Sequence, residues 1–360
     1  MLEKEKDEYS EEFDFPEDID EVENGPEMFE HFRFEVDKGQ SMLRIDKYLV
    51  IQMASTSRNR IQDAADAGNI LVNGKPVKSN YKVKPLDVIS IVMAYPPSSF
   101  EIIPQDIPIN IVYEDDHIIL INKQPGLVVH PGFGNFDGTL LNAIAFHMKD
   151  HPDFNVNDAR IGLVHRIDKD TSGLVLIAKT PDAKSRLGKQ FFEKTTKRSY
   201  NTVVWGNVKE DEGTITGSLA RDPRDRMLFK VFGEGENPLA KHAVTHYKVL
   251  ERLGYVTLVE CRLETGRTHQ IRVHMKHIGH TIFNDERYGG HEILKGNRTA
   301  KYQQFVRNCF DICPRQALHA KTLGFVHPVS GEEMFFESEL PDDMQELTEK
   351  WRSYAKQLEI

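Results

Sequence analysis

The residues best suited to chemistry crowd into one short stretch, Gly162-Leu163-Val164-His165-Arg166-Ile167-Asp168-Lys169-Asp170-Thr171-Ser172-Gly173. It offers two carboxylates, an Arg, a His and two hydroxyls within eight residues, directly before the apolar run from Leu174 to Ala178. Polar, turn-prone residues beside a buried strand are held at the edge of a rigid sheet, where sites are usually built. The same residue types also suit a loop stapled to its own backbone by Asp and Ser/Thr side chains. A second stretch runs from Glu264 to His274. Thr265-Gly266 reads as a turn, and the alternation after it predicts a strand over Thr268 to His274. Gln270, Arg272 and His274 would then share one face, with His269, Ile271 and Val273 on the other. An Arg inside a strand is costly unless paired. Asp168 is its natural partner, and the pair would keep Asp168 ionised in a pocket that otherwise raises its pKa.

Other chemistries fit these residues less well. Asp168-Lys169-Asp170-Thr171 has the D-x-D spacing of a phosphoryl-transfer aspartate, but there the apolar strand precedes the first Asp, whereas here it follows. His274, His277 and His280 recur every three residues. That spacing spreads ligands around a helix and no H-E-x-x-H accompanies it, so they read as solvated or backbone-bonded rather than as a zinc site. Cys309 and Cys313 have no second Cys pair and read as buried thiols. No Gly-rich phosphate loop is present.

The elements that must position these groups are mostly short strands: Ile109 to Tyr113, Ile118 to Asn122, Leu174 to Ala178, Tyr200 to Trp205 and Val256 to Arg262. Helical periodicity marks Leu140 to His147, Ala183 to Glu193 and Met344 to Leu358. Strands outnumber helices without regular alternation, which predicts an α+β fold with a central mixed, largely antiparallel sheet. A different texture precedes it. A short amphipathic helix around Leu43 to Leu49 is followed by one from Arg58 to Ala67, with Ser55-Thr56-Ser57 as caps and Gly68 as the stop. Ile70-Leu71-Val72, the turn Asn73-Gly74 and Lys75-Pro76-Val77 form a hairpin, and Val88 to Met93 a third strand. Tyr95-Pro96-Pro97-Ser98-Ser99 breaks the chain. The expected divisions are an acidic disordered tail over 1–38, a small α/β domain over 41–93, a linker over 94–100 and a catalytic domain over 101–360.

The whole chain of 360 residues carries a formal net charge of −10 and a pI of about 5.9, which alone argues against a nucleic-acid partner. The charge is unevenly placed. Residues 1–30 hold fourteen Asp and Glu against two Lys, leaving the other 330 residues with 44 basic and 42 acidic groups. Three Cys make no disulfide framework and suit a reducing compartment. Apolar runs fall far short of the ~20 residues that span a bilayer. A cytoplasmic location, away from membranes, is expected.

These motifs together resemble the RluA/RluD-type pseudouridine synthases, which act mostly on large-subunit ribosomal RNA. Gly162 to Gly173 is similar to the family's H-R-L-D-x-x-T-S-G signature, with Ile167 where Leu is usual. Val112 to Asn142, with N-K-Q-P-G-L-V-V-H-P-G, resembles the first block. Lys197-Arg198-Ser199-Tyr200 resembles the K-x-Y block, and Leu263 to His274 the T-G-R-x-H-Q-I-R-x-H block. Gly279 to Gly289 and Arg315 to Ala320, with His327-Pro328, resemble the closing blocks. Residues 41–93 are similar to the S4 RNA-binding domain often fused ahead of this enzyme.

The resemblance implies isomerisation of uridine with no cofactor or metal. Asp168 would be the essential carboxylate, either attacking C1′ or stabilising positive charge there. Tyr200 would pack on the base or serve as general base, and Arg272 would pair with Asp168. Arg166 would fill the gap left by the flipped base, and Arg267 would contact RNA. Arg44, Lys47, Arg58, Arg60 and Lys75 would give the S4-like unit its phosphate contacts. The partner implied is structured RNA, bound by a monomer. Transfer RNA as substrate, and a non-enzymatic RNA-binding assembly factor, are the alternative readings.

Overall fold

The computed structural model describes residues 29–53, 58–93, 102–131, 135, 137–151, 162–233 and 235–358. The chain divides into two compact units, Met1–Glu101 and Ile102–Ile360. Residues 1–28, the expected caps at 55–57 and the expected linker lie outside the described residues.

The first unit runs β1 (Phe29–Glu35), α1 (Ile45–Gln52), α2 (Arg58–Asp66), β2 (Ile70–Val72), β3 (Lys75–Pro76) and β4 (Val88–Met93). Its strands form an antiparallel sheet in the order β1-β4-β2-β3. Asn73 and Gly74 both take positive φ in the β2–β3 turn, the geometry a two-residue hairpin loop favours. Ile45 and Leu49, one helical turn apart, are buried with Ile61, Ile70 and Ile89. Strand β1 corrects the expected tail, whose closing residues are ordered. Phe34 sits opposite Ile89 and packs on this core, with Val36 buried just beyond it. Acidic composition hid that pattern.

The second unit opens with β5 (Ile111–Glu114), β6 (Ile118–Lys123), α3 (Leu140–His147), β7 (Ser172–Ala178), α4 (Pro181–Phe192) and β8 (Lys197–Trp205). Then come β9 (Glu212–Asp222), β10 (Asp225–Phe232), β11 (Lys241–Arg252), β12 (Val256–Leu263), α5 (Gln270–His277), α6 (Ala300–Ile312), β13 (Leu318–Val326), β14 (Glu333–Glu337) and α7 (Asp342–Leu358). Ten strands form one sheet in the order β10-β9-β11-β12-β8-β13-β7-β6-β5, with β14 also on β13. Among the described residues only β13 and β7 pair in parallel, so the sheet is mixed and largely antiparallel, as expected.

Side-chain chemistry explains the main supports. All seven residues of β7 are buried, which suits a strand covered on both faces. Thr180 caps α4 by accepting the Ala183 N–H, with Pro181 in the first turn. Helix α7 buries Trp351 against Trp205, Phe283, Tyr302 and Phe305. A fully buried side chain of this kind contributes about 1.5–3 kcal/mol or more. Gly173 takes φ +114°, and any Cβ there would strike the backbone of Ala320 on β13. The glycine therefore sets how closely β7 and β13 approach.

The predicted strand from Thr268 to His274 is instead helix α5. His269 enters it in the left-handed region, at φ 54°, which turns the chain out of extended geometry. Ile271 and Met275, four residues apart, join the core over the sheet, whereas Val273 packs into a separate cluster with Leu219, Ala243 and Tyr288. Both faces are apolar, so the sequence showed a period of two.

Candidate active site

Asp168 lies in the loop that feeds β7. The side chains of His165 and Ile167 turn inward, Arg166 is exposed and Asp168 is partly open. The loop is fastened from several sides. His165 Nε2 accepts the Leu176 N–H at 2.8 Å, and the Thr171 N–H donates to the Asp168 carbonyl at 3.1 Å. Lys123, at the end of β6, is 1% exposed and donates to the carbonyls of Gln124, Leu127 and Lys169 at 2.8–2.9 Å. Burial pushes its ammonium down to about 7, while those three bonds use all three of its protons. Arg315 donates to the Asp170 carbonyl at 2.9 Å and is itself gripped by Asp343 of α7 at 2.7 and 3.0 Å.

Arg272 reaches the same loop from α5. Its Nη1 donates to Asp168 Oδ2 at 2.9 Å, and its Nε and Nη2 fork onto Asp285 at 2.7 and 2.9 Å. Asp285 is fully buried and also accepts the Tyr288 N–H. The Asp168–Arg272 pair matches the sequence expectation, and its second carboxylate was not foreseen. Burial on its own would raise the Asp168 carboxyl, and His269, Arg272 with its hydrogen bond, and Arg166 instead hold it at about 2.

His269 Nε2 stands 4.0 Å from Asp168 Oδ2. Burial holds this imidazole down to about 4, so near neutral pH it is uncharged and Arg272 supplies the compensating cation. The Tyr288 hydroxyl accepts the Phe229 backbone N–H at 3.1 Å and so turns its proton to His269 Nδ1 at 2.8 Å. That network assigns the His269 proton to Nε2, facing the carboxylate. Gln270 ties the Thr265 hydroxyl and the Arg267 N–H to its side-chain carbonyl, fixing the turn before α5.

Tyr200 on β8 is buried beside Ile167, Leu318 and Ala320. Burial raises its phenol above the usual range, so the hydroxyl stays protonated at neutral pH and offers a ring face rather than a ready base. Arg267 lies after the turn and donates to the His242 carbonyl at 3.2 Å. His274, expected to be solvated or backbone-bonded, is instead fully buried and bonded to the Thr245 hydroxyl at 2.9 Å. Burial depends there on a side-chain partner. His280 does bond backbone, at the Trp205 carbonyl. Cys309 and Cys313 are buried free thiols. Among the described residues no cluster of His, Cys, Asp or Glu could hold a metal ion.

In the first unit, Arg44 and Arg58 each contact the fully buried Asp46 at 2.9 Å. Gln62 adds a bond at 3.0 Å. Burial works to raise the Asp46 carboxyl and these bonds bring it to about 2. The two arginines therefore brace the fold while keeping 42% and 47% of their side chains exposed. Lys47 and Lys75 are exposed. The side chain of Arg60 lies outside the described residues.

Known proteins share both the sequence and the fold. Residues 117–277 match the family model for RNA pseudouridylate synthases and residues 43–89 that for the S4 domain. An uncharacterized RNA pseudouridine synthase of Chlorobaculum parvum is 46% identical over 89% of this chain and 97% of its own length. The ribosomal large subunit pseudouridine synthase D of Vibrio cholerae is 42% identical over 87% and 92%. Among solved structures, human RNA pseudouridylate synthase domain containing 4 shares the fold at TM-score 0.52 and 20% identity, covering 68% of this chain and 93% of that one.

Proposed function

The chain belongs to the RNA pseudouridylate synthase family, and from that premise we propose that it isomerises specific uridines in large-subunit ribosomal RNA. The observation that carries this reading is a single partly open carboxylate, Asp168, kept ionised by a buried guanidinium. In the reaction the C1′–N1 bond breaks and its electron pair stays with the uracil. The base turns, C5 bonds to C1′, the C5 proton leaves and N1 regains one. Nothing is oxidised and no phosphoryl group moves.

Asp168 serves as the catalytic carboxylate at C1′. Tyr200 packs its ring on the uracil, and Arg272 positions Asp168 and keeps it charged. Exposed Arg166 enters the stack vacated by the flipped nucleotide. Arg267 meets the backbone nearby, and the S4 unit adds phosphate contacts through Arg44, Lys47, Arg58, Arg60 and Lys75. The ribosomal substrate follows relatives such as the Vibrio cholerae enzyme. The protein acts as a monomer in the cytoplasm, a compartment that the free buried thiols fit; no described helix is long and apolar enough to cross a membrane.

The test is Asp168→Asn, which keeps size but removes the charge. We expect wild type to create carbodiimide-dependent primer-extension stops in a large-subunit transcript and Asp168→Asn to create none. Stops from the variant would overturn the role of Asp168, and wild-type stops confined to transfer RNA would overturn the substrate.

A further inference from the structure

Arg198 is an arginine of the catalytic unit to which the reaction scheme gives no task. It precedes Tyr200 by two positions on β8, so both side chains leave the strand on the same face. Its guanidinium lies over the Phe191 ring at 5.3 Å, and Phe191 stacks in turn on His165 with centroids 4.6 Å apart. On the other side Nη1 rests against the Thr265–Gly266 turn, where a Cβ on Gly266 would come to 2.9 Å from it. Its charge reaches the site. It opposes the burial that raises the Tyr200 phenol and adds to the burial that lowers His165.

The buried arginines of this unit are paired, Arg272 with Asp168 and Asp285 and Arg315 with Asp343. The half-buried Arg198 differs: its side chain makes no hydrogen bond or ion pair among the described residues, and its Nε is buried without an acceptor. A half-buried guanidinium with no carboxylate partner keeps a charge that a bound anion would satisfy. A polynucleotide brings one such anion with every nucleotide, and a planar guanidinium fork matches two non-bridging oxygens. We propose that Arg198 binds a phosphate flanking the target uridine and so holds the flipped nucleotide against Tyr200 and Asp168. Phe191 fixes the plane of the fork, and Gly266 leaves it room.

This inference rests on the uridine-isomerase reading, and wild-type turnover of the unmodified RNA tests that reading separately. The test compares full-length wild type, Arg198→Met and Arg198→Lys on RNA with natural linkages or with one neutral methylphosphonate 5′ or 3′ of the target. Arg198→Met should weaken binding about 10- to 100-fold, as expected for a charge-assisted bond, and Arg198→Lys should recover part of the loss. In wild type one methylphosphonate should carry a similar penalty, and in Arg198→Met the same substitution should add nothing. Unchanged binding by Arg198→Met, or equal methylphosphonate penalties in both proteins, would overturn the proposal. So would a loss confined to kcat, which would put the charge on the departing uracil instead. Should Arg198→Met fail to fold, the Arg198→Lys arm gives the same comparison.

Discussion

Replacing Arg272 by Met tests the electrostatic argument most directly. Arg272 is the guanidinium shared between Asp168 and Asp285. Its loss removes one of the positive neighbours, beside His269 and Arg166, that hold the Asp168 carboxyl at about 2 against an ordinary 3.8. That depression favours the ionised form by on the order of 2 kcal/mol, at about 1.36 kcal/mol per pKa unit. Because the folded value is the lower one, this contribution is present above pH 4 or so and is lost as pH falls toward 2. In Arg272→Met burial is opposed only by His269 and Arg166, so the carboxyl titrates higher than in wild type. The acid limb of the pH–rate profile should therefore move to higher pH, by up to about two units. Asp285 would also be stranded without its partner, at a cost of about 3–5 kcal/mol. The double variant Arg272→Met/Asp285→Asn separates the two effects, since it should regain thermal stability while keeping the shifted limb. The assay is single-turnover release of tritium from RNA carrying 5-tritiated uridine, because C5 must lose its hydrogen, alongside thermal melts. A folded Arg272→Met protein whose acid limb has not moved would refute the reasoning.

Two further outcomes are expected. Gly173→Ala forces a Cβ into the Ala320 backbone at a positive φ and should lower stability by about 3 kcal/mol or more. An unchanged denaturation midpoint would show that β7 and β13 are not held this closely. Lys47→Gln with Lys75→Gln removes two exposed charges of the S4 unit. The log–log salt dependence of RNA binding should flatten by about 0.7–0.9 for each phosphate no longer neutralised. An unaltered slope would remove both lysines from the interface.

The Asp168 loop was legible because its polar residues are contiguous and abut an all-apolar strand, so composition and position agree. The helices α3, α4 and α7 were legible from periodicity. Helix α5 was not, because Gln270 to Met275 are all buried and polarity carried no helical signal. Asp285 was invisible for another reason. It meets Arg272 only after a turn in which Asn284 adopts φ 56°, a tertiary event with no local mark. Lys123 and Arg315 likewise act on carbonyls 46 and 145 residues away, and carbonyls have no identity in a sequence. The hairpin strands β9 to β11 alternate burial irregularly, which blurred the period of two.

The placing of β13 bears on how the protein is made. This late strand lies in the middle of the sheet, between β7 and β8. The arginine that steadies the Asp168 loop is gripped by the still later α7. A chain emerging from the ribosome thus carries Asp168 and Tyr200 into solution well before the segments that align them. Nascent or truncated products should be unable to modify the ribosomal RNA beside which they are synthesised. Competence would arrive all at once, when β13 and α7 join the fold.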